Sequence, residues 1–339
     1  MRETDAAQRG PSIYARVLAA IGVALAAAGI AWVKIQQNGA QKDFGYLWYA
    51  ARALLGGEDP YAVIRPGVLY FDNWFMYPLT AALAAVPVAG LDMNAAGMIF
   101  TAAAFATLAF ALSREGWDRL PVLMSFPALW CMTTGQPAPF VLAAAVAPGY
   151  AWAATLKPTL GFATFCSRPS WRFVAVGGAA VALSLIVRPD WPLHWLTVTR
   201  QTADINYQVP VAVPGGALIA LAVLRWRRGD ARLVLAMGCI PQSMLMYDQF
   251  PLLLIARTRR EAIIFSLWTY AVPLAMRFVT DLPPMDTKQF TLPYLARIIT
   301  WSLYLPAVVL VLLRPNVGAA PQWIERLVRP LPVFLRGTA

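Results

Sequence analysis

The sequence predicts an all-α polytopic membrane protein, and three observations carry the prediction. The 339 residues are 59% hydrophobic and 13% charged, with a mean hydropathy of +0.56, more apolar surface than a soluble domain of this size buries. Apolar runs, the first from Tyr14 to Val33, recur along the chain, and about 20 such residues suffice to cross a hydrocarbon core. The net charge of +11 is concentrated in short arginine-bearing segments between those runs, which is topology under the positive-inside rule and not a nucleic-acid footprint. A basic face also meets anionic membrane lipids.

In chain order, residues 1–15 read as a cytoplasmic tail with Arg2 and Arg9, followed by an uncleaved first span over 14–33; the run is too long for a signal-peptide core. Residues 36–75 then form the first external loop. Within it Asp43 occupies a helix N-cap position, Phe44 to Leu55 carries helix formers with Tyr46, Trp48 and Tyr49, and Gly56-Gly57 stops the helix. Its aromatics suit the membrane interface. Glu58-Asp59-Pro60-Tyr61 is a turn, because Pro60 fixes its own φ and restricts Asp59.

The loop ends at Tyr70-Phe71-Asp72-Asn73-Trp74. Tyr77-Pro78 opens a second span to about Leu91, Asp92-Met93-Asn94 is an inner turn, a third span reaches Leu112, and Ser113 to Arg119 is external. Leu120 to Cys166, broken by Gly135-Gln136-Pro137, Pro148-Gly149 and Lys157-Pro158, reads as three short helices, a pattern tolerated at membrane depth where the backbone lines a cavity or is buried in protein. Arg168 and Arg172 mark an inner loop; 173–187 crosses outward; 188–208, with Trp191, His194, Trp195, Asp204 and Tyr207, is external; 210–224 returns to the cytoplasmic Arg225-Trp226-Arg227-Arg228. Two half-helices meeting near Asp248 return Arg257, Arg259 and Arg260 to the inside. Residues 263–278 cross outward, 280–290 are external, 292–313 return, and 314–339 form a cytoplasmic tail. The expectation is one membrane domain over 1–339 with roughly twelve membrane or half-membrane segments and both termini inside.

The residue inventory limits the chemistry. Cys131, Cys166 and Cys239 stand in apolar surroundings without metal-ligand spacing, and His194 is the single histidine, so zinc sites and histidine triads are nearly excluded and no cofactor or metal is expected. Ionisable groups at membrane depth are costly and mark function. Asp43, Asp59, Asp72, Asp204 and Asp248 are such candidates, and Lys157, in an apolar context, must find an anion or snorkel.

Asp43 followed by a tyrosine-rich helix, then Gly57-Glu58-Asp59-Pro60-Tyr61, Tyr77-Pro78, Gly135-Gln136, Lys157-Pro158 and Tyr247-Asp248 after Pro241, resembles glycosyltransferase family 87, the polyprenol-phosphate-mannose-dependent mannosyltransferases of the GT-C superfamily. The pattern departs where Pro137 and Ala138 replace the end of a Gly-Gln-x-Asn motif and Leu79 replaces a second proline. The resemblance implies a GT-C-like fold in a bacterial inner membrane with its active site on the periplasmic or extracellular side. It implies an inverting transfer of a sugar, mannose, from a polyprenyl-phosphate donor to a hydroxyl of a glycolipid or glycan.

Under it Asp43 is the catalytic base. Lys157 binds the lipid phosphate, and Tyr46, Asp59, Tyr61, Asp72, Tyr77, Gln136, His194, Tyr247 and Asp248 are substrate-binding. Each also has a plainer reading: Asp43 and Asp248 as helix caps, Gln136 as the cap of a broken helix, Lys157 as a snorkelling side chain, His194 as an interface histidine. A lipid-linked donor suits a chain without a nucleotide-sugar domain or Gly-rich phosphate loop. The rival readings are a transporter or flippase for a lipid-linked or anionic substrate, against which stands the lack of an internal repeat, and an inactive GT-C-like scaffold.

Overall fold

The computed structural model describes residues 10–68, 71–206, 208–278 and 288–317. Tyr70, Tyr207, most of the 280–290 loop, the side chain of Asp204 and the greater part of both tails lie outside the described residues. Those described are helical or irregular, without a β-strand apart from an isolated bridge between Gln208 and Gln242.

Helix α1 (Ile13–Asn38) starts where the Ser12 hydroxyl accepts from the Ala15 N–H at 3.3 Å and ends at Gly39, whose φ of 80° only glycine adopts cheaply. Helices α2 (Lys42–Leu55), α3 (Pro60–Val63) and α4 (Leu79–Ala85) follow. Helix α5 (Met93–Leu112), capped by Asp92, runs antiparallel to α1: Arg16 at the start of α1 donates to Phe110 O at 2.9 Å and Ser113 Oγ at 3.3 Å at the end of α5. Among the described residues three helices are long and apolar enough to cross a membrane: Ile13–Asn38, Met93–Glu115 and Tyr294–Leu312. A fourth crossing is available if Trp171–Val187 and Trp191–Thr202, bent by 101°, count as one broken span. The chain is thus a helical protein with membrane-spanning character, and most of the roughly twelve segments expected are shorter pieces.

The expected span at 77–91 is one of those pieces. Leu79–Ala85 gives way to a 3-10 turn at Val86–Val88, which holds Pro87, so the helix stops after two turns. The turns at the two ends of α5 therefore stand differently relative to α2 than the sequence suggests. The Asp92 turn lies beside α2, with Trp48 Nε1 donating to Leu91 O at 3.2 Å and Arg52 to Ala89 O at 3.4 Å. Ser113 to Arg119 lies at the opposite face, with the start of α1 and with Arg168, whose guanidinium is 2.7 Å from Glu115.

From Leu120 onward the chain builds a 3-10 segment at Leu120–Met124, α6 (Phe126–Thr134), α7 (Ala138–Val146), a 3-10 segment at Pro148–Leu156 and α8 (Pro158–Ser167), five short pieces where three were expected. Prolines at helix starts and Gly135 at a helix end impose the breaks. Gly161 lets α8 close on the 3-10 segment, since a Cβ there would stand 2.1 Å from Ala154 O. Gly161→Ala is expected to cost about 1–3 kcal/mol, read as a lowered thermal midpoint in detergent; an unchanged midpoint would show that the two segments part freely.

After α9 (Trp171–Val187) and the surface helix α10 (Trp191–Asn206), a 3-10 segment at Gly216–Arg225 leads to α11 (Gly229–Cys239). The chain turns at Met244, whose φ is 51°, and comes back as a 3-10 segment at Met246–Ile255. Both ends of this excursion meet: Asp230 accepts Arg228 at 3.0 Å, Arg257 at 3.3 Å and Arg314 at 2.6 Å. Helices α12 (Arg259–Trp268), α13 (Ala271–Phe278), α14 (Lys288–Ile299) and α15 (Leu305–Leu312) complete the chain. Arg314 also pairs with Glu261 at 2.6 Å, and the buried Arg225 donates to the carbonyls of Leu312 and Arg314. The helix ends therefore share one arginine-rich face, and the excursion carries Asp248 away from it.

Candidate functional site

Asp43 lies in the first turn of α2, one residue inside the helix, and Gln41 holds the N-cap position expected for it. Gln41 is buried and donates to Thr101 Oγ1 at 3.2 Å and Met132 O at 2.6 Å, which anchors the start of α2 against α5 and α6. Phe44 packs on Phe100 with ring centroids 5.1 Å apart. Gly135 ends α6 at a φ of 73°, and a Cβ there would meet Phe44 Cβ at 2.5 Å. Glycine is thus required twice, for the left-handed turn and for the close approach of α2.

These constraints deliver Gln136 to Asp43. Gln136 Nε2 donates to Asp43 Oδ2 at 2.7 Å, while its Oε1 accepts from Lys157 Nζ at 3.2 Å and from the Tyr77 hydroxyl at 3.1 Å. Lys157 also forms a close ion pair with Asp248 and lies 4.4 Å from the centroid of the Tyr247 ring. Ser243 Oγ donates to the other oxygen of Asp248. Lys157 adopts an extended φ of −146°, the region that a following proline enforces. Residues 205 positions apart in the chain, Asp43 and Asp248, thereby stand on one polar network built on α2, the α6–α7 break, the start of α8 and the 246–255 segment.

The network forms one wall of a cavity of about 510 Å³. Asn73, Trp74, Met76 and Tyr77 of the first loop, Trp195 and Thr199 of α10, and Pro241, Gln242, Ser243, Leu245 and Tyr247 help complete it. Pro78 and Pro158 are shared with a second, almost wholly apolar groove of about 320 Å³ between α8 and α9, lined by Gly161, Phe162, Phe165, Phe173, Gly177 and Val181. A charged, aromatic-walled chamber thus adjoins an apolar channel.

Helix α2 is outside the candidate spans. Burial pushes the Asp43 carboxyl above its ordinary range; the Gln136 N–H, the Lys157 charge and the Thr134 hydroxyl oppose this, and Asp248 adds to it. A carboxylate held in such an environment accepts a proton readily.

The remaining expected residues are distributed differently. Tyr46 lines the cavity, its hydroxyl accepting the Asn73 N–H at 3.0 Å. Tyr61 is buried behind it and donates to Tyr77 O at 3.0 Å, a brace for the cavity wall. Asp59 caps α3, and His194 Nδ1 lies 2.7 Å from it, with Arg188 and Asp190 alongside; this cluster ties the first loop to α10 and does not line the cavity. Asp72 is exposed and also outside the lining.

Ser243, Trp74, Trp195 and Thr199 were not among the residues expected. Ser243 stands beside Asp248 only because the chain reverses at Met244. Thr199 Oγ1, on the cavity wall, is buried without a hydrogen-bond partner among the described residues. Among the described residues no group of three His, Cys, Asp or Glu side chains is placed to hold a metal ion. No family model, no curated protein and no solved structure matches the chain.

Proposed function

We propose that this chain is an inverting GT-C-like glycosyltransferase that moves a sugar, mannose, from a polyprenyl-phosphate donor to a hydroxyl of a glycolipid or glycan. The carrying observation is the join between Asp43 and Lys157 through Gln136, on the wall of a cavity that shares Pro78 and Pro158 with an apolar groove. General base, phosphate-binding cation and a lipid path are the three parts such a transfer needs.

In the proposed step, Asp43 takes the proton of the acceptor hydroxyl as its oxygen bonds to the anomeric carbon. The bond from that carbon to the phosphate oxygen breaks on the opposite face, and the electron pair leaves with polyprenyl phosphate. Lys157 meets the negative charge that grows there, exchanging Asp248 for the phosphate. Because the proton remains on Asp43, the cavity loses one negative charge as the leaving phosphate gains one. Trp74, Trp195 and Tyr46 offer aromatic faces and Thr199 a free hydroxyl to the sugar. By the positive-inside rule the arginine-rich face lies in the cytoplasm, which turns the first loop, α10 and the cavity to the outer face of a bacterial inner membrane.

The test is incubation of the purified protein in lipid vesicles with radiolabelled polyprenyl-phosphate mannose and extracted membrane lipids. A labelled glycolipid is expected. Labelled donor that crosses the bilayer unconsumed would replace the reading by a flippase, and neither product nor movement would overturn it.

A further inference from the structure

The amide of Gln136 has a fixed polarity. Two donors, the Lys157 ammonium and the Tyr77 hydroxyl, stand on its Oε1, which leaves Nε2 for Asp43. Turning the amide over would set its NH₂ against an ammonium and its oxygen against a carboxylate, and at 1% exposure water cannot make up the loss. A neutral amide also conveys geometry without adding a titrating charge. Asparagine is one methylene too short to span the same partners, and glutamate would put a third carboxylate beside Asp43 and Asp248.

The backbone is built for this placement. Gly135 puts Gln136 immediately after a left-handed turn, in the position where α2 approaches most closely. From the side of Asp43 the neighbouring charged and titratable groups are Lys157 at the start of α8, Asp248 and Tyr247 on the 246–255 segment, Cys131 on α6, Tyr77 of the first loop and Tyr46 on α2 itself.

We infer that Gln136 is a positioning residue that holds the Asp43 carboxylate and the Lys157 ammonium in one geometry, so that base and cation act as a unit. Its amide is occupied by the protein on both ends, which sets it apart from the substrate-binding role expected from the sequence. The catalytic consequence rests on the transferase reading; the geometric claim does not.

Two measurements separate them. Dicyclohexylcarbodiimide couples to protonated carboxyl groups, and its attachment at Asp43 can be followed by mass spectrometry across a pH series. Gln136→Met removes an N–H that favours the charged form, so the labelling midpoint at Asp43 should move up by about one pH unit. Tyr77→Phe leaves that N–H in place and should leave the midpoint within a few tenths. If Gln136→Met fails to fold, Gln136→Asn is read in its place, with the same upward shift expected. In the transfer assay, Gln136→Met should lower kcat by about 10²-fold with the donor KM within threefold, and the acid limb should move upward with the labelling.

An Asp43 midpoint unmoved in folded Gln136→Met or Gln136→Asn protein overturns the inference even if the wild type transfers sugar. A shifted midpoint in a protein that transfers nothing sustains the positioning role and removes the transferase reading.

Discussion

Asp43→Asn is expected to abolish sugar transfer, by about 10³-fold or more at matched protein levels, while the protein folds as before. Asparagine matches aspartate in shape and still offers Gln136 an acceptor oxygen, and it removes a carboxyl group that burial already disfavours in its charged form. The thermal midpoint should therefore be unchanged or raised. The same variant disposes of the plainer role for this residue. Asparagine serves a helix N-terminus about as well as aspartate, so a stabilising carboxylate without chemistry would leave transfer intact. Full activity in folded Asp43→Asn would remove Asp43 from the mechanism. The sign of the pH dependence follows from the raised pKa: Asp43 is a base only when deprotonated, so kcat/KM should fall on the acid side at a pH above the ordinary carboxylate range.

The second large effect is expected at Lys157. Lys157→Gln leaves Asp248, with its side chain 6% exposed, without its counter-ion, and breaking one partner of a buried pair costs about 3–5 kcal/mol. Adding Asp248→Asn should restore the thermal midpoint to within about 1 kcal/mol of wild type, because the pair is then removed as a whole. Transfer should stay lost in the double variant, since no cation remains for the phosphate. Lys157→Arg keeps the charge and should retain measurable transfer. Equal activity in the Arg and Gln variants would mean that Lys157 only snorkels and would detach it from the donor phosphate.

The candidate site was more legible in the sequence than the fold. Lys157 stands out as a charge in apolar surroundings, Asp43 and Asp248 as residues of motifs the resemblance rests on, and the structure places all three on one network. Gln136 and Tyr77 were visible as motif residues, but the bonds by which Gln136 joins Asp43 to Lys157 were not. Ser243 and Thr199 gave no signal, because a hydroxyl in a loop or within an amphipathic helix is ordinary in sequence.

Among the described residues three helices are long and apolar enough to cross a membrane, and the other expected segments are shorter pieces. Hydropathy reports that a segment is apolar, and a short helix packed inside protein is as apolar as one in lipid; α4 and α7 are the examples, buried largely among their neighbours. With α4 stopping before Pro87, the Asp92 turn lies beside α2 and the Ser113 turn beside the start of α1.

Composition and periodicity were enough to indicate a helical protein with membrane-spanning character and few charges, because those properties are sums over local residues. Which charges meet was decided by close contacts between distant segments. The approach of α2 to Gly135 and the chain reversal at Met244 bring Asp248 to Lys157 directly and Asp43 to it through Gln136, and packing at that range leaves no periodic trace in the chain.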